Sequence, residues 1–115
     1  MPFGDNSGVV TIYKRTDFES AHKLEGHPKC GVLHGHSYKV EVWLTGRLIG
    51  PWGFVYDFGE IKNYFRQFDH SDVVIAKSAE VMALEAARYF KRDNVTKVVV
   101  RLWESASSYA EAVVE

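Results

Sequence analysis

The sequence predicts an α+β domain in which a four-stranded antiparallel sheet carries two helices on one face. The element order is strand, strand, helix, helix, strand, strand. Three observations lead there. His34 to Thr45 alternates cleanly, with Tyr38, Val40, Val42 and Leu44 on one side and Ser37, Lys39, Glu41 and Trp43 on the other. Two stretches with helical apolar spacing follow it, and two β-rich runs close the chain. Helices gathered between strand pairs in this order are accommodated by packing both on one side of an antiparallel sheet.

The elements follow in turn. Val9 to Ser20 is rich in β-branched and aromatic residues and reads as the first strand. Lys23 to Leu33, with Gly26, Pro28 and Gly31, reads as a loop, and Gly46 to Gly53, with Pro51, as a turn region. Asp57-Phe58-Gly59-Glu60 has the spacing of a capping box, the Asp57 carboxylate accepting from the amide at the third position. Phe58, Ile61, Phe65 and Phe68 then fall on one helical face, and Asp69-His70 closes that helix. Ser78 can cap the second helix, where Met82, Ala86 and Tyr89 form the apolar stripe. Val95 to Glu104 and Ser107 to Val114 read as the last two strands. The open sheet edges lead to an expectation of pairing between copies.

With 115 residues, 46% of them hydrophobic, the chain suits one domain spanning 1–115 with a real core. Its 14 basic and 15 acidic residues are intermixed, with a net charge of −1, which argues against nucleic-acid binding through phosphate neutralisation. No apolar run reaches membrane-spanning length, and Met1 to Gly8 lacks the apolar stretch of a signal peptide. A single cysteine, Cys30, cannot form an internal disulfide, so the expected setting is cytoplasmic.

The chemistry gathers where the alternation begins. Residues two apart on a strand share a face, separated by about 6.5 Å of backbone, so His34 and His36 can close on one ion. His22, with the parity of Phe18 and Ser20, comes opposite them if the first two strands are antiparallel neighbours. Three imidazoles with an open fourth position describe a catalytic zinc site. An isolated strand-edge histidine is ordinarily a surface or satisfied core residue; the third histidine and the nearby thiol shift that balance. Cys30, beside Lys29 and near the cation, could serve as nucleophile, base or fourth ligand. His27 reads as solvated. Asp69 beside His70 is an acid–base element only if the fold places it usefully. Glu104 has the parity of Val98, Val100 and Leu102, so its carboxylate points to the apolar side and needs a donor, either within the fold or on an N–H-rich ligand.

Taken in order, FESAH (18–22), CGVLHGHSYKVEV (30–42), GFVYDFGEIK (53–62), DH (69–70), SAE (78–80) and LWES (102–105) resemble one known family. It is the 6-pyruvoyl-tetrahydropterin synthase and 6-carboxytetrahydropterin synthase group of the tunnelling fold. The three residues between Cys30 and His34 look like the carboxy-forming branch of 7-deazaguanine (queuosine-type) biosynthesis. The resemblance implies that His22, His34 and His36 bind Zn2+, Cys30 is the general base, Asp69 and His70 relay protons, and Glu104 anchors the pterin. It further implies 7,8-dihydroneopterin triphosphate as substrate. The assembly it implies is a homohexamer of two stacked trimers with sites between subunits. Two features depart from the pattern. Lys77-Ser78-Ala79-Glu80-Val81 stands where the family has Pro-Thr-x-Glu-Asn, and the link from His70 to Ser78 is short, without the usual Leu-Asn. A pyruvoyl product, a non-catalytic pterin- or metal-binding module and a Cys-His-His-His structural zinc site stay open as other readings.

Overall fold

In a computed structural model, strands β1 (Val10–His22) and β2 (His34–Gly46) lead into helices α1 (Phe58–Arg66) and α2 (Ala79–Phe90). Strands β3 (Val95–Ser105) and β4 (Ser108–Val114) complete the chain. The structure describes residues 7–28, 31, 34–70 and 75–115, with His22 and His34 described by their backbone alone. The four strands form one antiparallel sheet in the order β1-β2-β3-β4. This is the predicted ββααββ arrangement, and the first strand runs two residues further than its composition suggested.

Strand alternation decides the layers. Phe18, Tyr38, Val40, Val42, Leu44, Val98, Val100 and Leu102 are buried, and both helices cover this face. α1 supplies Ile61 and Phe65; α2 supplies Met82, Ala83, Ala86 and Phe90. Phe18 stacks on Tyr38 at 4.7 Å and lies against Phe65 and Phe68. Three expectations need correction. Phe58 is exposed, because it stands in the first turn, before the helix meets the sheet. Tyr89 is exposed and Phe90 takes the inner position, since the apolar arc of α2 is centred one residue on. Asp57 does cap α1, but its carboxylate accepts from Gly59 N, at the second helical position, at 2.7 Å. Ser78 caps α2 by accepting from Val81 N.

The connection from β2 to α1 is fastened to the start of β3. Asn94 is buried; its side-chain amide donates to the carbonyls of Arg47 and Val55, both at 2.9 Å, while its own carbonyl accepts from Arg47 N. Gly46 lies so close that a Cβ there would be 2.3 Å from the Asn94 carbonyl oxygen. Among the described residues, no helix is long and apolar enough to cross a membrane.

The opposite sheet face is polar and aromatic. Glu41 accepts from Tyr13 Oη and Trp103 Nε1, both at 2.7 Å, and Lys39 sits over the Trp103 ring. Burial pushes the Glu41 carboxyl up. The hydrogen bonds from Trp103 and Tyr13, with Lys39 and Arg101 nearby, outweigh it and hold the group below its ordinary range. The same contact pushes the Tyr13 hydroxyl up.

Two outcomes follow. Asn94→Ala strands the buried Val55 carbonyl and the half-buried Arg47 carbonyl and should lower unfolding stability by about 2 kcal/mol in urea titration; an unchanged midpoint would refute the fastening role. Glu41, depressed in the folded state, adds stability above the unfolded carboxyl range and loses it as pH falls through the folded value. Thermal melts of Glu41→Gln should therefore show a flatter decline than the parent below about pH 4.5. Parallel declines would contradict this.

Candidate active site

The β1–β2 ladder ends where the histidines stand. In its register His22 is the Cα partner of His34, and Ser20 is the partner of His36. Positions directly opposed on antiparallel strands have Cβ atoms about 5 Å apart. The backbone therefore brings all three positions to one end of one hairpin, with the parity expected from sequence. The His36 side chain is half-buried, edge-on to the Tyr38 ring at 5.5 Å, with Nε2 3.7 Å from Glu104 Oε1. Ser20 Oγ, in register with His36, is buried without a hydrogen-bond partner among the described residues. This placement suits a cation that takes imidazole nitrogen, and a carboxylate beside one imidazole is a common supporting feature. Among the described residues no side-chain cluster holds three metal-binding groups, His22 and His34 contributing backbone positions only. Cys30 lies outside the described residues.

Glu104 follows the parity of β3 toward the helix-covered side and finds His36 there. It also lines a cleft of about 540 Å3 between the start of α2 and the edge strand β4, together with Ala79, Glu80, Leu84, Ser108 and Ala110. Glu80 and Glu111 add further carboxylates to its walls. An acidic cleft of this size suits a small ring system rich in N–H donors. Ala79 and Glu80, inside the Lys77 to Val81 segment whose flanking residues depart from the family pattern, form one wall of it.

Asp69 and His70 do not close α1, which ends at Arg66; they stand in the turn beyond it. This turn docks on the outer edge of β1. Asp69 Oδ1 accepts from Glu19 N at 3.0 Å, and His70 N donates to the Glu19 carbonyl at 2.7 Å. Ile75 continues the edge, its amide donating to Ala21 O and its carbonyl accepting from Lys23 N, both at 2.9 Å. The short link between the helices thus covers the final stretch of the β1 edge, which would otherwise present unpaired backbone groups. His70 adopts φ +48°, a left-handed conformation uncommon outside glycine. Adjacent side chains diverge in regular structure, yet here His70 Nε2 comes 3.7 Å from Asp69 Oδ1.

Glu19 and Ser37 were not singled out by sequence reasoning. Glu19 Oε2 stands 3.9 Å from His70 Nε2, and Ser37 Oγ donates to Glu19 Oε1 at 3.1 Å. The only signal was the position of Glu19 inside FESAH, on the parity opposite to Phe18, Ser20 and His22. Lys23 is paired with Glu25 at 3.1 Å.

A family model described as 6-pyruvoyl tetrahydropterin synthase matches residues 11–115. Among curated proteins, one named "Putative 6-carboxy-5,6,7,8-tetrahydropterin synthase" from Methanocaldococcus jannaschii is 42% identical over 84 residues. That alignment covers 67% of this chain and 51% of that protein. The 6-carboxy-5,6,7,8-tetrahydropterin synthase of Rickettsia typhi is 35% identical over 100 residues, covering 76% of this chain and 72% of that one. Among solved structures, the 6-pyruvoyl tetrahydropterin synthase of Caenorhabditis elegans superposes with a TM-score of 0.67 at 22% identity. It covers 96% of this chain and 99% of that one, a likeness of fold.

If Asp69 pins the turn to β1, Asp69→Ala should cost about 1 kcal/mol and free the Glu19 amide. Hydrogen exchange read by NMR should show that amide exchanging about tenfold faster. Unchanged protection would mean that the carboxylate does not hold the turn.

Proposed function

From its membership of the 6-pyruvoyl tetrahydropterin synthase family, a family of lyase-type enzymes to which this chain belongs, we propose a 6-carboxytetrahydropterin synthase. Its substrates are 7,8-dihydroneopterin triphosphate and one water, and its products are 6-carboxy-5,6,7,8-tetrahydropterin, triphosphate and acetaldehyde, as in 7-deazaguanine (queuosine-type) biosynthesis. The observation that carries this reading is the β1–β2 register, which sets His22 against His34 and His36 two residues along, beside the Glu104 cleft.

Each residue then has a task. Glu104 receives the N–H-rich edge of the pterin in the cleft beside α2, exchanging His36 for the ligand. Cys30 takes a proton from the side-chain carbon next to the ring, whose electron pair passes into the ring and reduces it to the tetrahydro level as that carbinol becomes a carbonyl; loss of a proton from the next carbon then expels triphosphate with the bonding electrons. Asp69 and His70 move that proton onward, the carboxylate keeping the imidazole oriented. Addition of water and carbon–carbon cleavage then leave the carboxyl on the ring and release acetaldehyde. His22, His34 and His36 would hold Zn2+, which when bound supplies Lewis-acid stabilisation of negative charge developing on substrate oxygen.

The assembly is a homohexamer of two stacked trimers whose sites form between subunits. The parity of Glu19 supports a shared site: His70 keeps company with a side chain on the sheet face away from Tyr38, whereas His36 packs beside Tyr38. We place the enzyme in the cytoplasm on its single-cysteine composition.

Mass analysis of products from zinc-loaded protein and 7,8-dihydroneopterin triphosphate decides the reaction. The expected product is the 6-carboxy compound; a 6-pyruvoyl product would move the chain to the other branch, and release of neither would refute the lyase reading. Cys30→Ala should lower turnover by at least about 100-fold while zinc stays bound. Metal lost along with the thiol would point to a structural fourth ligand.

A further inference from the structure

We propose that Glu19 is the positioning residue of His70, its carboxylate braced from the next strand by Ser37. This role rests on the lyase reading above. Four contacts converge on one residue. The amide of Glu19 holds Asp69 Oδ1 at 3.0 Å, and its carbonyl holds His70 N at 2.7 Å. Its carboxylate faces His70 Nε2 at 3.9 Å through Oε2 and receives Ser37 Oγ at 3.1 Å through Oε1.

The division of labour follows from what each oxygen already does. Asp69 Oδ1 is engaged by a backbone amide, so its freedom to follow the imidazole is limited. Glu19 reaches the same ring nitrogen from the strand side, on a longer side chain whose far oxygen is tethered to β2. Glu19 and Ser37 are direct cross-strand partners, so the tether has the rigidity of the sheet. His70 itself sits on a left-handed backbone in an exposed turn, with 73% of its side chain accessible. A mobile exposed imidazole would spend little time in a productive orientation, and two carboxylates flanking Nε2 narrow its range. Misplacement of a catalytic group by about 1 Å can cost on the order of 100-fold in rate.

The histidine-bearing end of this ladder adds room for a reacting group. An open depression of about 490 Å3 beside His70 is lined by Glu19, Ala21, Gly35 and Ser37. Ala21 and Gly35 are Cα partners, so the strands carry little side-chain bulk there. Glu19 therefore stands between the sheet and the open space that His70 faces.

The test joins kinetics to a readout that does not need turnover. Glu19→Gln should lower kcat about tenfold with KM within about twofold, because an orienting contact to the relay is lost and substrate binding is not. Ser37→Ala should give a smaller fall, and Glu19→Asp, which keeps the charge on a shorter arm, should recover part of the loss. In 15N NMR, the His70 ring nitrogens should shift between wild type and Glu19→Gln, while those of exposed His27 stay in place. An unchanged kcat in Glu19→Gln, or unmoved His70 ring signals, would overturn the proposal. Should wild-type protein release no triphosphate at all, the lyase reading fails. The ring signals then decide by themselves whether Glu19 orients His70.

Discussion

The register of β1 on β2 is the constraint on which everything else depends. A slip of β1 by one residue would turn Thr16 and Phe18 out of the core and away from Tyr38. The same slip would part His22 from His34. Core and site are thus specified by one pairing, and the apolar residues that fix the register for stability also fix it for chemistry. The stacked rings of Phe18 and Tyr38 lie four residues from His22 and His34 respectively, so a buried aromatic pair stands directly beside the histidine-bearing end of the hairpin.

The other end of the design is the edge of β1. An open strand edge is a hazard that proteins cover, charge or pair. Here the link between the helices covers it over Glu19, Ala21 and Lys23, and the cover itself carries Asp69 and His70. The same backbone hydrogen bonds that satisfy the strand place Asp69 and His70. This explains how a link shorter than the family pattern still presents the pair in a defined position.

Much of this was legible in the sequence, for identifiable reasons. The strict alternation of His34 to Thr45 gave β2 its face directly. The turn residues bounded it, parity put His36 and Glu104 on the helix-covered side, and the antiparallel pairing set the His22 backbone opposite that of His34. Helix faces were less legible. Tyr89 and Phe90 are both large and apolar, and only the position of the sheet beneath α2 decides which is buried. Capping chemistry was foreseen at Asp57, but which amide it would reach depends on side-chain geometry. Glu19 escaped notice because its importance comes from a hydrogen bond across fifty positions to Asp69, and no local pattern reports such a contact. The same holds for Asn94, whose fastening of Arg47 and Val55 is wholly non-local.

The central claim is that the hairpin end formed by β1 and β2 holds a divalent metal through its three histidines. Anomalous diffraction at the zinc edge from crystals of zinc-loaded protein tests it most directly. The account predicts one strong peak per chain, within bonding distance of His22, His34 and His36. Full occupancy elsewhere on the chain with no peak at these residues would contradict it.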